Sequence, residues 1–267
     1  MPAETFSVLI TGPLPERAKL CALLCKIHNI LPDEGAKMAR ECWGILGDNM
    51  DQPKAQACVQ AARSAAIETV LIPSSRAKSV PAPQKITKAA PSARGLECVS
   101  QVVKITAPWE SIYLLAAAPV KTEIRQMVKT EGKAAPDAAQ LAGMTAAALL
   151  TGIPIKFGSQ KQEQLREDVK RDAVFMLDIF CDAELPHMRI FADDFDYAPL
   201  GAKKTYSSQT NFREFTLLIA ARAPKAAKNA GLAAMSAGKP LVTLSYDSQE
   251  CYDRELRRLF LLRNAGR

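Results

Sequence analysis

The chain has 267 residues, 48% of them apolar and 24% charged, with a formal net charge of +7. Such a chain builds one large or two modest packed domains and needs neither disulfides nor metals to make up for a small core. Seven cysteines at positions 21, 25, 42, 58, 98, 181 and 251 include no CxxC pair, so neither a zinc ribbon nor a disulfide framework is indicated, and a reducing cytoplasm fits best.

The opening MPAETFSVLI has no basic segment followed by an apolar one, so no signal peptide is expected. Phe6, Val8 and Ile10 alternate with Ser7, Leu9 and Thr11, which predicts a strand ended by Gly12-Pro13. From Pro15, Ala18, Cys21, Ala22, Leu24, Cys25 and Ile27 follow helical spacing, widened by Leu20 and Leu23, and Asn29 stops this helix. Pro32-Asp33-Glu34 opens a second helix, with proline and acids where a helix start favours them. Gly47-Asp48-Asn49 reads as a turn, residues 52–66 as a third helix opened near Asp51, and residues 68–72 as a closing strand.

This order of strand, helix, helix, loop, helix and strand resembles the C-terminal domain of the bacterial ribosomal stalk protein, a fold shared with the Clp-protease adaptor family. The resemblance covers residues 5–72 and rests on "FSVLITG", "ERAKLCALLCKI", Ala36-Lys37, "KAQACVQAARSAA" and "ETVLI". It implies a small domain that binds another protein through a helical face, with Lys37, Arg40 and Trp43 as partner-facing candidates. Specific function does not carry over. Acids Asp33 and Glu34 stand where the stalk family is basic, and Gly12-Pro13-Leu14 and Cys42-Trp43 occupy the regions where the adaptors hold an N-terminal amine.

Residues 73–94 contain four prolines and five basic residues, Arg76, Lys78, Lys85, Lys88 and Arg94, with no acid. They read as an extended, flexible basic linker over 73–95 between a domain at 1–72 and a larger one at 96–267. The flanking pieces are nearly balanced, with seven basic and eight acidic residues before the linker and 23 and 20 after it. Beyond the linker, strands are expected at 98–105, 112–118, 174–180, 188–192 and 241–246. Helices are expected at 137–151, at 211–222 with an Asn211/Glu214 capping box, from Pro224 to Met235, and at 248–264. The mild apolar run from Ala138 to Ile155 is too short for a membrane span and reads as a buried helix, so no membrane partner is expected. The expected fold class is α+β, because strands and helices do not alternate regularly enough for a doubly wound sheet.

Three groups of residues compete for a function. Asp193 and Asp194 of "FADDFDY", with Asp178 and His187, are the residues a hydrolytic or phosphoryl-transfer site would use, but one local acidic run more simply reads as a strand end entering a solvated turn. Cys21, Cys25 and His28 share a helical stripe, which reads as core in preference to a zinc site lacking its fourth ligand. Lys78, Lys85 and Lys88 with Arg254, Arg257 and Arg258 would neutralise phosphates in a nucleic-acid-associated protein, although the aromatics, 6% of the chain, form no stacking platform among them. The polar loop Tyr206–Asn211 leads into a helix start and reads as its cap in preference to an anion site. No phosphate-cradling glycine loop and no nucleophile elbow follows any strand. The reading favoured is a cytoplasmic, non-enzymatic, adaptor-type protein whose partner is another protein, with no cofactor and no metal; the enzyme and the nucleic-acid protein are the alternatives.

Overall fold

The structure, a computed structural model, describes residues 4–100, 104–133, 161–182, 185–240 and 245–265. It forms two compact units, one of residues Met1–Thr122 with Ala173–Arg267, the other of residues Glu123–Asp172.

The larger unit begins with β1 (Phe6–Ile10), α1 (Arg17–His28), α2 (Pro32–Glu41), β2 (Ile45–Met50), α3 (Gln52–Ser64) and β3 (Thr69–Pro73). β1 lies between β2 and β3, antiparallel to both. Local chemistry sets the helix ends. Asn29 takes the left-handed conformation that asparagine tolerates, and its N–H donates to the Cys25 carbonyl. Pro32 opens α2 with Asp33 and Glu34 in the first turn, and the Asp51 carboxylate caps α3 by accepting from the Lys54 N–H at 2.9 Å. Gly47-Asp48-Asn49, expected as a turn, lies instead within β2. The register against β1 shifts between Phe6 and Val8, and Asn49 at φ 52° takes up the irregularity.

The chain continues through β4 (Gln84–Lys85), β5 (Lys88–Pro91), β6 (Gly95–Val99), β7 (Lys104–Pro108), β8 (Ile112–Lys133), β9 (Lys161–Cys181), β10 (Met188–Phe191), α4 (Ser208–Arg222), β11 (Ala227–Lys228), α5 (Ala230–Ser236) and α6 (Gln249–Ala265), all in the larger unit except β8 beyond residue 122 and β9 before residue 173. β5, β6 and β7 form an antiparallel meander, while β11-β8-β9-β10-β4 form a mixed sheet. With helices and strands in several sheets, the fold is α+β. The smaller unit's described residues, 123–133 and 161–172, belong to β8 and β9. The helix expected at 137–151 and the run from Ala138 to Ile155 lie outside the described residues. Among the described residues no helix is long and apolar enough to cross a membrane.

Alternation along β8 shows how the mixed sheet is covered. Ile112, Leu115 and Ala117 join Leu177, Ile179, Phe212, Phe215 and Ile219 in one cluster with the meander. Leu114, Ala116, Ala118 and Val120 join Met176 and Phe180 on the other face, under Tyr252, Leu256 and Phe260 of α6. The N-terminal sheet is covered on two faces as well. Val8 and Ile10 pack on Leu20, Leu23 and Leu24 of α1 and on Ala55, Cys58 and Ala62 of α3, whereas Leu9, Ile45 and Ile72 meet Leu261 of α6. Helix α6 is therefore packed between two sheets. Each such aliphatic side chain removed from water contributes about 1.5–3 kcal/mol.

Residues 73–95, expected as a flexible linker, differ most from the expectation. Val80 packs against the α6 side of the mixed sheet, Ile86 and Ala89 are core residues, and β4 and β5 lie within this stretch. The Gln84 and Ile86 N–H groups donate to the carbonyls of His187 and Arg189 at 2.7 and 2.8 Å, so the prolines sit where no ladder donor is required. Other boundaries shift for local reasons. The strand expected at 98–105 is the end of β6 and the start of β7. Helix α4 starts at Ser208 because the Ser207 hydroxyl, not Asn211, caps it by accepting from the Thr210 N–H. The helix expected from Pro224 begins at Ala230, since Ala227 and Lys228 pair with β8 and Asn229 caps α5. Of the strand expected at 241–246, residues 241–244 lie outside the described residues and Tyr246 bridges Val120.

Candidate functional site

Two polar systems lie on α6, one closed and one open. The closed system centres on Asp178 of β9, which is fully buried. Its Oδ1 meets His187 Nε2 at 2.5 Å and accepts from Arg189 Nε at 2.8 Å, and its Oδ2 accepts from the Tyr252 hydroxyl at 2.6 Å. The far His187 nitrogen, Nδ1, donates to the Pro81 carbonyl at 2.9 Å, and the ring stacks on Phe180 with centroids 4.0 Å apart. Burial tends to lower the basicity of Arg189, but the Asp178 carboxylate outweighs it and holds the guanidinium above its ordinary value. Burial and then the same carboxylate push the Tyr252 phenol well up.

A second buried set adjoins it, with the rings of Tyr246 and Tyr252 centred 5.1 Å apart. The Tyr246 hydroxyl bonds to Glu255 and accepts from Asn229 Nδ2, while Asn229 Oδ1 accepts from the N–H groups of Ala117 and Leu232. Arg258 lies 3.9 Å from Glu255 and donates to the carbonyls of Ile10 at 3.0 Å and Gly12 at 3.4 Å. Burial raises the pKa of Glu255 and lowers that of Arg258. Gly44 at φ 85° lets the chain pass this arginine, where an added Cβ would press on its Cδ.

The open system is a cleft of about 400 Å³ between α2 and the start of α6, lined by Lys37, Arg40, Glu41, Asp247, Ser248, Glu250, Cys251 and Arg254. Lys37 and Arg40 are exposed on α2. The Ser248 hydroxyl accepts from the Cys251 N–H, and Arg254 donates to the Glu41 carbonyl at 3.3 Å. Asp247 pairs with Lys121 at 2.7 Å, and that hydrogen bond holds its carboxyl below the usual range. Three cations and three carboxylates thus line one opening, with Cys251 the apolar exception.

The structure sorts the sequence candidates unevenly. It joins Asp178 to His187 with both side chains buried, and it separates both from the acidic run. Asp193 accepts from the Ser208 hydroxyl at 2.8 Å, Asp194 pairs with Lys85 at 2.6 Å, and Asp196 pairs with Lys88 at 3.5 Å. No three His, Cys, Asp or Glu residues among the described ones are grouped to hold a metal ion. Of the nucleic-acid candidates, Lys85 and Lys88 are in those pairs, Arg257 pairs with Asp48, and Arg258 is buried; Lys78 is exposed and Arg254 lines the cleft. Of the partner-facing candidates, Lys37 and Arg40 line the cleft, whereas Trp43 is half-buried with its ring centroid 4.4 Å from that of Tyr246. The loop from Tyr206 closes on itself, Asn211 Oδ1 accepting from the Thr205 N–H at 2.7 Å. Sequence reasoning missed Asp247, Ser248 and Glu250. Their only signal was a serine ahead of a helix start, which says nothing of what the helix start faces. Comparison of the chain with protein-family models, curated proteins and solved structures finds no match.

Proposed function

We propose that this is a cytoplasmic, non-enzymatic interaction protein whose N-terminal region, residues 1–72, docks another protein through α2. The observation that carries this reading is the cleft: Lys37 and Arg40 open onto the same space as Asp247, Glu250 and Arg254. A polar opening lined by both signs of charge suits a partner segment that presents both signs, with recognition by charge placement more than by apolar burial. Residues 6–73 run strand, helix, helix, strand, helix, strand, with β1 between β2 and β3, and the docking reading takes the helical face of this region as the binding face. All seven cysteines are free thiols, which supports a reducing compartment.

The test is capture of a binding protein by tagged full-length chain in the presence of nuclease, comparing wild type with the Lys37→Glu/Arg40→Glu double variant. A protein retained by wild type and by a Lys78→Glu control, but lost with the double variant, supports the reading. Retention unaffected by the double variant, or abolished by nuclease, contradicts it. Deleting residues 1–72 is a poor substitute, because it would strip the cover from Leu261 of α6.

A further inference from the structure

Only two of the seven cysteines are not buried, and they are neighbours: Cys21 and Cys25, one turn apart on α1. The fully buried face of α1 is Leu20, Leu23 and Leu24; Cys21 packs at the margin of that core, as its apolar character suggested, while Cys25 lies outside it. Both thiols are turned to the start of α2. The Cys21 thiol donates to the Pro32 carbonyl at 3.5 Å and the Cys25 thiol to the Leu31 carbonyl at 3.6 Å. Gly35 lets them pack there: a Cβ would overlap Cys25 Sγ and come within 3.3 Å of Cys21 Sγ, so both sulfurs lie against the same glycine. Partial burial first, then the neighbouring Cys21 sulfur, raise the Cys25 pKa above its ordinary value. His28 is not grouped with the two cysteines as a third ligand, and its Nε2 is engaged with the Leu46 carbonyl at 2.8 Å.

Two such thiols can form a disulfide or share a soft cation, and helix geometry separates the options. Residues four apart on a helix hold their Cβ atoms about 5–6 Å apart, whereas a disulfide needs about 3.5–4.5 Å, so oxidation would have to distort the turn. A metal between the sulfurs leaves the turn intact, because rotation of the side chains alone can bring the sulfurs to the roughly 4.6 Å that two bonds of about 2.3 Å span. With two sulfur ligands and no third group of the described residues placed to join them, the coordination is that of a soft, two-coordinate ion, for which thiolates select monovalent copper over harder divalent ions.

We propose that Cys21 and Cys25 form a two-thiolate site for Cu(I). On binding, each S–H bond breaks, both protons pass to solvent, two Cu–S bonds form, and no electron is transferred. The full-length reduced protein should be titrated anaerobically with Cu(I) against a chromophoric Cu(I) chelator, followed by iodoacetamide labelling and peptide mapping. The expected result is one Cu(I) per chain, with both Cys21 and Cys25 protected from alkylation. Cys21→Ser and Cys25→Ser should each weaken binding by more than about 100-fold, beyond the loss typical of an outer-shell partner. Cys58→Ala, in the buried core of the same domain, should leave binding unchanged, and circular dichroism of the serine variants should match wild type. Equal Cu(I) affinity in wild type and the double serine variant, protection falling on other cysteines, or preferential retention of Zn(II) would each overturn the proposal.

Discussion

The two polar systems on α6 differ in what surrounds them, and the difference shows how little a charge in a sequence says by itself. Arg254, Arg257 and Arg258 are near neighbours in one run. Arg258 is buried against backbone carbonyls of β1 and the Glu255 carboxylate, Arg257 closes on Asp48, and Arg254 stands at an open cleft. The helical period carries these residues to three different environments. The inward set binds the C-terminal helix to the N-terminal sheet, while the outward set leaves a surface that a partner can meet.

The strongest way to break the closed system is to remove its centre. Asp178→Ala leaves Arg189 charged and takes away the carboxylate that His187 and Tyr252 both meet, and loss of one member of a buried pair costs about 3–5 kcal/mol. Urea denaturation should register most of that loss, and Asp178→Asn, which keeps the shape, should still be clearly destabilised. Next in size is Leu261→Ala, which opens a cavity between α6 and the strands bearing Leu9, Ile45 and Ile72 and should cost about 3 kcal/mol. By contrast, Lys37→Glu/Arg40→Glu on the open side should shift stability by no more than about 0.5 kcal/mol while removing partner binding.

A smaller, pH-dependent effect belongs to Asp48, half-exposed beside Arg257. Burial alone would raise its pKa, but hydrogen bonds from Arg257 and Ser7 outweigh this and hold it below its ordinary value of 3.8. Its folded pKa is therefore the lower one. The stabilisation is complete well above pH 3.8 and is lost as pH falls through the folded value. Asp48→Asn should cost about 0.5–1 kcal/mol at pH 7 after solvent screening and almost nothing at the acid end of a pH series of unfolding curves. Smallest in consequence is thiol reactivity. Burial pushes the thiols of Cys58 and Cys181 up to about 11 and Cys98 up to about 12, so in the folded protein at pH 8 alkylation should reach Cys21 and Cys25 well before these three.

Legibility followed the range of the interactions. The strand-helix-helix-helix-strand pattern of residues 6–73 was readable because caps such as Asn29, Pro32 and Asp51 act within a few residues, and β2 was missed because a bulge at Asn49 imitates a turn. The stretch from Pro73 to Arg94 read as a tether because its proline and lysine content is local, while the partners that order it, His187 and Arg189, lie about a hundred residues away. Lys37 and Arg40 were found through a resemblance, but the residues facing them across the cleft depend on tertiary packing of α6, which no local pattern encodes. Clustered acids in "FADDFDY" suggested convergence, whereas each carboxylate has a different neighbour.

The central claim, that α6 joins the N-terminal sheet and the mixed sheet into one cooperative body, can be tested with the two tryptophans. Trp43 follows α2 and lies against Tyr246, and Trp109 follows β7, so Trp109→Phe leaves fluorescence that reports the junction of the N-terminal region with the mixed sheet and Trp43→Phe leaves fluorescence that reports the far side of the mixed sheet. Urea unfolding of each variant, with and without Leu261→Ala, is the measurement. Once each single-tryptophan variant's own stability change has been fixed by circular dichroism, the account predicts that each fluorescence transition coincides with the circular dichroism transition of the same variant. It also predicts that Leu261→Ala lowers both fluorescence midpoints together. A Trp43 transition separated from that of the rest of the chain, and unmoved by Leu261→Ala, would show a tethered independent domain and contradict the account.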